Sequence, residues 1–201
     1  MPYRRTPAVQ ARLDAQRKTV LDAAIALLSE QGYAGCSMAA VAARAGVATG
    51  TVYKHFTSKS ELSVELFRTV VTREVAAVEA AAHGPGDLIE RIVAVIETFA
   101  GRALKAPRLA YALLVEPVEP AIDQERLVFR RAFRDIFAER IAEGVATGVL
   151  PPQDPQLTAA ALVGAGAEAL VGPLTDGSTD VLPGLARFTL RALGGTHAEH
   201  P

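Results

Sequence analysis

The chain reads as an all-α protein, and three features say so. Half of its 201 residues are apolar, and they recur every three to four positions over most of the length, the repeat that keeps one face of a helix dry. No stretch alternates apolar with polar residues in the way a half-buried strand would. Proline and glycine fall in clusters about one helix length apart, which marks the joints of a helical chain. Together these predict about nine helices with no internal repeat.

Residues 1–12, basic and proline-bearing, read as a disordered arm. Periodicity starts near Leu13 and runs to Gln31, where Gly32 ends the first helix. Ser37 is placed to cap the second helix by accepting a backbone N–H, and Val41, Ala42 and Ala45 keep one of its faces apolar. Gly46 supplies a tight turn. Thr49 is placed to cap a third helix, in which Val52 and Phe56 stand four apart and face inward. Ser58 caps a fourth, reaching about Ala82 with Leu62, Leu66, Val70, Val75 and Val78 toward one side. At the helical rise that rod is about 36 Å long and can link the two ends of the molecule. The break His83-Gly84-Pro85-Gly86 follows, then helices at 87–105, 107–116, 121–147, 154–172 and 180–194. Pro107, Pro117, Pro120, the cluster from Pro151 to Pro155, Gly172-Pro173 and Pro183-Gly184 mark the joints, and 196–201 reads as a disordered tail. The organisation is a small head over 13–57 and a body over 58–195.

Charge separates the same two parts. Residues 1–60 carry eight Arg or Lys against Asp14, Asp22 and Glu30, a surplus of five, whereas the rest of the chain carries a deficit of six. Attraction to phosphate is therefore confined to one end. Apolar runs are broken by Glu, Arg, Gly or Pro before the ~18 to 20 residues a membrane span needs, and the N-terminus has no apolar signal core. Cytoplasmic residence with no membrane partner follows as the expectation. Cys36, the single cysteine, can form no internal disulfide and reads as a small buried filler. The four His are scattered, so no metal site and no cofactor are expected.

Two short helices around a glycine turn, with Thr49, Gly50, Thr51, Tyr53, Lys54 and His55 turned outward, form the layout of a helix-turn-helix that reads the DNA major groove. The positions Arg17, Leu21, Ala23, Ala24, Leu27, Leu28 and Gly32, then Ser37, Val41, Ala42, Ala45, Gly46 and Val47, belong to a longer pattern. It is completed by the run Gly50 to Phe56 with Ser58-Lys59 and Glu61-Leu62. Residues 17–67 thereby resemble the N-terminal domain of the tetracycline-repressor (TetR) family of bacterial transcriptional regulators. Cys36 stands where that family usually has Thr, and Ala39-Ala40 replace a frequent charged pair.

The resemblance implies that Tyr53, His55 and Lys59 touch phosphates, while Thr49, Gly50, Thr51 and Lys54 approach base edges. Ser37 and Arg44 join this surface, Arg44 as a phosphate partner. Arg4 and Arg5 read equally as a minor-groove arm or a solubilising tail. It also implies a homodimer in which the last two helices pair with their twofold mates, through Ala161, Gly164, Ala165, Glu168, Leu185, Phe188 and Leu193. Residues between the linker helix and those helices could line a cavity for an unknown small-molecule effector: Phe99, Arg102, Tyr111, Leu114, Glu116, Phe129, Phe133 and Glu168. Ordinary core packing explains the apolar ones as well. Arg126, Arg130, Arg131, Arg134 and Arg140 read as the wet face of their helix, paired with neighbouring acids.

The expected function is thus a sequence-specific regulator of a double-stranded DNA operator, a repressor released by its effector. An enzyme built on His55, His83 or a Glu116–Glu119 pair lacks any nucleophile elbow, phosphate loop or metal cluster, so no catalytic residue is assigned. A sequence-independent DNA-packaging protein lacks the overall basic charge that role requires.

Overall fold

The computed structural model describes residues 6–194. Among them there are helices and no strands. Ten helical segments occur: α1 (Pro7–Gly35), α2 (Met38–Ala45), α3 (Thr49–His55), α4 (Lys59–Ala82), α5 (Leu88–Lys105), α6 (Pro107–Leu114), α7 (Pro120–Thr147), α8 (Pro155–Ala169), α9 (Val171–Asp176) and α10 (Val181–Ala192). Only Leu170 separates α8 from α9. Counted as one rod they make nine, in agreement with the sequence.

Most helix starts follow the local signals. Ser37 accepts from the Ala40 N–H, Ser58 from Glu61 and Asp87 from Glu90, the last as a reciprocal capping box. Two starts differ. Helix α1 begins at Pro7, not near Leu13, because Thr6 caps it and Pro7 occupies its first turn. Proline is pre-set for that position and its missing N–H costs nothing there. Residues 7–12 are therefore helical, while the Arg4 and Arg5 arm and the 196–201 tail lie outside the described residues. Helix α3 is capped by Ala48, whose backbone is extended and whose side chain makes no cap bond, so Thr49 is its first turn and caps nothing.

Gly32 does break the first helix: it sits at φ 70, ψ −171 inside α1. Gly46 ends α2 in the left-handed conformation, and its N–H reaches back to the Ala42 and Ala43 carbonyls.

Two apolar cores result. The first joins α1, α2 and α3 through Val20, Ala24, Leu28, Val41, Val52 and Phe56, and continues into α4, α6 and α7 through Leu66, Phe67, Leu113 and Ile122. The second gathers Val78, Ile92, Ile96, Ile141, Leu162 and Leu193 from α4, α5, α7, α8 and α10. Helix α4 contributes to both, its first half to the head and its end to the body, as a linking rod must.

Pro155–Asp176 is long and apolar enough to cross a membrane by length and composition, contrary to the expectation that every apolar run is cut short. Its hydropathy comes largely from Ala, Leu and Val. The rod is interrupted at Leu170, and Ala159, Leu162, Gly166 and Leu174 are buried inside the protein.

Candidate nucleic-acid interface and effector cavity

The α2–turn–α3 unit is fixed from behind. Val52 and Phe56 are fully buried beside Val41 and Ala42, so the opposite face of α3 must point out. Arg17 of α1 lies 4.8 Å over the Phe56 ring and pairs with Glu65 of α4 at 3.2 Å, joining three helices at one corner. On the outer face Thr49, Gly50 and Lys54 are exposed, and Tyr53 is 50% exposed. Thr51 is half-buried. A Cβ built on Gly50 would meet nothing within 4 Å. Neither packing nor backbone conformation requires glycine there, yet it costs helix stability, which suits a backbone that something outside the protomer approaches closely.

The flanking residues are partly engaged within the protein. His55 is half-buried, with Nε2 3.0 Å from Gln16 Oε1. Arg44 forms a two-pronged pair with Glu30 at 2.8 and 2.5 Å, which raises the Arg44 value and holds the Glu30 carboxyl below its ordinary range. Both side chains stay accessible, so a phosphate must compete with Glu30 for this guanidinium. Ser37 is exposed but its hydroxyl caps α2. Lys59 is exposed at the first residue of α4. Cys36 is buried, and burial pushes its thiol up to about 11, leaving it protonated and inert at neutral pH.

Between α4, α5, α6 and α7 lies a cavity of about 380 Å³. Phe99, Arg102, Leu114, Phe129 and Phe133 line it, with Phe67, Ile96, Ala110, Leu113 and Arg126 among their neighbours. Two edge-to-face ring pairs, Phe67–Phe129 at 5.6 Å and Phe99–Phe133 at 5.4 Å, shape its walls. Arg102 is held to Glu74 of α4 at 2.5 and 2.8 Å, and that hydrogen bond raises its value. Three of the sequence-picked residues lie elsewhere. Tyr111 packs against the second core, Glu168 is exposed on α8, and Glu116 borders a different cleft beside the head.

Sequence reasoning missed Arg126. Instead of a wet face, its guanidinium donates to the carbonyls of Ala112, Leu113 and Glu116 at 2.7 to 2.9 Å. These lie at and just past the end of α6, where helical carbonyls lose their intrahelical donors. Arg140 is likewise buried, paired with Glu139 and with Glu143 at 2.8 Å. Nothing in helical spacing alone flags either one. The one local hint for Arg126 is that Pro117 and Pro120 follow α6 and offer no N–H to its end.

The proposed dimer surface divides as well. Leu185 and Leu193 are buried in the protomer's own core and cannot face a partner. Exposed instead are Leu157, Ala161, Gly164 and Glu168 along one side of α8, with Phe188 on α10 at 44%. Ala165 is half-buried between.

A head whose short exposed helix is braced from behind, joined by a long rod to a hollow helical body, defines a helix-turn-helix regulatory protein. Comparison with known proteins is specific. Residues 20–66 match the model of bacterial regulatory proteins of the tetR family, and residues 85–169 match a tetracycline-repressor-like C-terminal domain. The chain belongs to the tetR family of bacterial regulatory proteins. It is 34% identical over 100 residues to the HTH-type transcriptional repressor KstR of Rhodococcus jostii, covering 49% of this chain and 45% of that protein. The chain thus spans less than half the length of that curated relative. Among solved structures, FadR of Bacillus subtilis in complex with stearoyl-CoA aligns with TM-score 0.75 at 21% identity, over 90% of this chain and 99% of that one. A TetR/AcrR-family regulator from Thermobifida fusca aligns with TM-score 0.69 at 25% identity, over 91% and 100%.

Proposed function

We propose that the protein is a homodimeric, sequence-specific DNA-binding regulator of transcription, a cytoplasmic repressor released from its operator by a small apolar effector. The observation that carries this reading is the outer face of α3: Gly50, Tyr53 and Lys54 stand exposed on a helix that Val52 and Phe56 anchor from behind. Lysine to guanine is a common base contact, and Tyr53, His55, Lys59 and Arg44 surround it as phosphate partners. Thr49 and Thr51 complete the base-reading edge and Ser37 its rim.

Two such helices must meet half-sites about 34 to 36 Å apart or a multiple of that spacing. The small-residue side of α8, with Phe188 beside it, supports a twofold helix bundle as the device that sets their separation. The cavity supports an effector that buries apolar surface. The described complex of the similarly folded Bacillus subtilis regulator with stearoyl-CoA makes an acyl chain a reasonable first compound to try. A ligand can release DNA only by favouring a dimer shape with the wrong helix separation, so its differential affinity for the two shapes sets the response. Helix α4 would carry that movement.

Selection of bound fragments from genomic DNA, followed by titration at physiological salt, tests the reading. A selected site should bind at least ~1,000-fold tighter than random DNA. Equal affinity for both would reject sequence-specific regulation.

A further inference from the structure

Glu116 follows the end of α6, yet its partners lie 82 and 83 residues away in the head. Its Oε2 accepts the Tyr33 N–H at 3.2 Å and its Oε1 the Ala34 N–H at 3.3 Å. The geometry has a definite cause. Gly32 leaves helical φ/ψ, so the amides that follow it drop out of the α1 ladder and present a small helix start to the outside, where a carboxylate is the favoured partner. The approach is close enough that a Cβ on Gly32 would stand 2.5 Å from Glu116 Oε2.

On its other side Glu116 is held by Arg126. That guanidinium grips the Ala112, Leu113 and Glu116 carbonyls and is pinned in turn by Asp123 at 3.0 Å. Arg126 also lines the cavity, together with Leu109, Ala110, Leu113 and Leu114 of α6 and its flank. One wall of the effector cavity is therefore a single hydrogen bond network away from the α1 break. The Tyr33 hydroxyl is buried without a partner among the described residues, and a cleft of about 410 Å³ bounded by Tyr33, Ala34, Lys59, Glu116 and Ile122 leaves Glu116 room to move.

We propose that Glu116, braced by Arg126, is the positioning residue that passes the state of the cavity to the DNA-reading helices through α1, alongside the α4 rod. A ligand that shifts α6 or Arg126 moves Glu116, and with it the break at Gly32. Because α1 shares one core with Val41, Val52 and Phe56, the α2–α3 pair turns with it. The inference rests on the cavity being the effector site.

The experiment is amide exchange followed by NMR on the full-length protein without ligand. Glu116→Ala and Arg126→Met, the latter keeping the stem on the cavity wall, should each speed exchange of the Tyr33 and Ala34 amides about tenfold while the Val52 amide stays as in wild type. Glu116→Gln, with one acceptor oxygen left, should restore protection at one of the two. Arg102→Ala cuts the α4–α5 tie on the opposite wall and should leave both amides alone. Unchanged amides in Arg126→Met, or equal acceleration in Arg102→Ala, would overturn the proposal. A second arm uses the selected operator. Glu116→Ala and Arg126→Met should each change affinity about fivefold, and the double variant no more than the larger single effect, since the two act in one path. Multiplying effects would also overturn it. Should no DNA sequence be preferred, the regulator reading fails, while the exchange arm still decides whether Arg126 controls the α1 break.

Discussion

Replacing Gly32 by Ala tests the joint between head and body most directly. At φ 70, ψ −171 the residue lies in a region essentially reserved for glycine, and forcing Ala into it costs about 1 to 3 kcal/mol. A second cost comes from Glu116, whose Oε2 would lie 2.5 Å from the new Cβ. The carboxylate must withdraw and give up two backbone N–H bonds, about 1 to 3 kcal/mol for the pair once the exposure of Ala34 is discounted. The sum is about 2 to 6 kcal/mol, and at ~2 to 4 °C per kcal/mol the midpoint falls on the order of 10 °C. Thermal and urea melts at one fixed protein concentration read this, because the apparent stability of the proposed dimer would depend on concentration. The same substitution in a Glu116→Ala background isolates the backbone share, which should be about half. A total below ~1 kcal/mol, or equal costs in both backgrounds, would refute the argument that this break is glycine-dependent and carboxylate-clamped.

Three further outcomes follow from the same geometry. Lys54→Ala should relax preference at one operator position by about 1 to 3 kcal/mol, whereas Lys59→Ala should weaken all sequences alike and lower the salt slope by about one; identical behaviour would erase the division between base and backbone contacts. Gly164→Leu should fit the isolated protomer, since a Cβ there meets nothing within 4 Å, yet block close approach of a second copy, so sedimentation should show dimer loss with unchanged helix content. Glu61 is held below the ordinary glutamate range by the Thr57 hydroxyl and then the Thr57 amide. Its folded value lies under the unfolded one, so its stabilisation of the α4 start is complete above the unfolded value and fades as pH falls through the folded one. Acid melts of wild type and Glu61→Gln should therefore differ at neutral pH and converge in acid.

Particular residues show where sequence reading works. Ser37 and Ser58 cap the helices their positions suggest, and Gly46 turns the chain, because each signal acts on backbone groups within four residues of itself. Where reading slipped by a short distance, a competing local signal won: Thr6-Pro7 opens α1 six residues early, and Ala48 takes the extended cap position next to Thr49. Larger misses concern side chains whose partners are remote in the chain. Arg126 looks like a surface charge and Glu116 like a cavity residue by sequence, yet both are engaged by groups that only folding brings near. Arg140, though paired with its neighbours Glu139 and Glu143, is buried by the packed helices. Leu185 and Leu193 follow an apolar stripe that could have faced a partner as easily as the protomer's own core.

The amino-acid order alone determined the all-α class, the succession of helices, the exposed reading helix and the family. The first three are written in capping, periodicity and charge, which operate over a turn or two, and the family in the resemblance of residues 17–67 to its N-terminal domain. Tertiary structure decided which charged side chains are buried, which apolar stripes are spent inside the protomer, and that a carboxylate after α6 grips the break in α1. A charge leaves water only when its partner is already in place, and that condition is met by the packed helices rather than by neighbours in the chain.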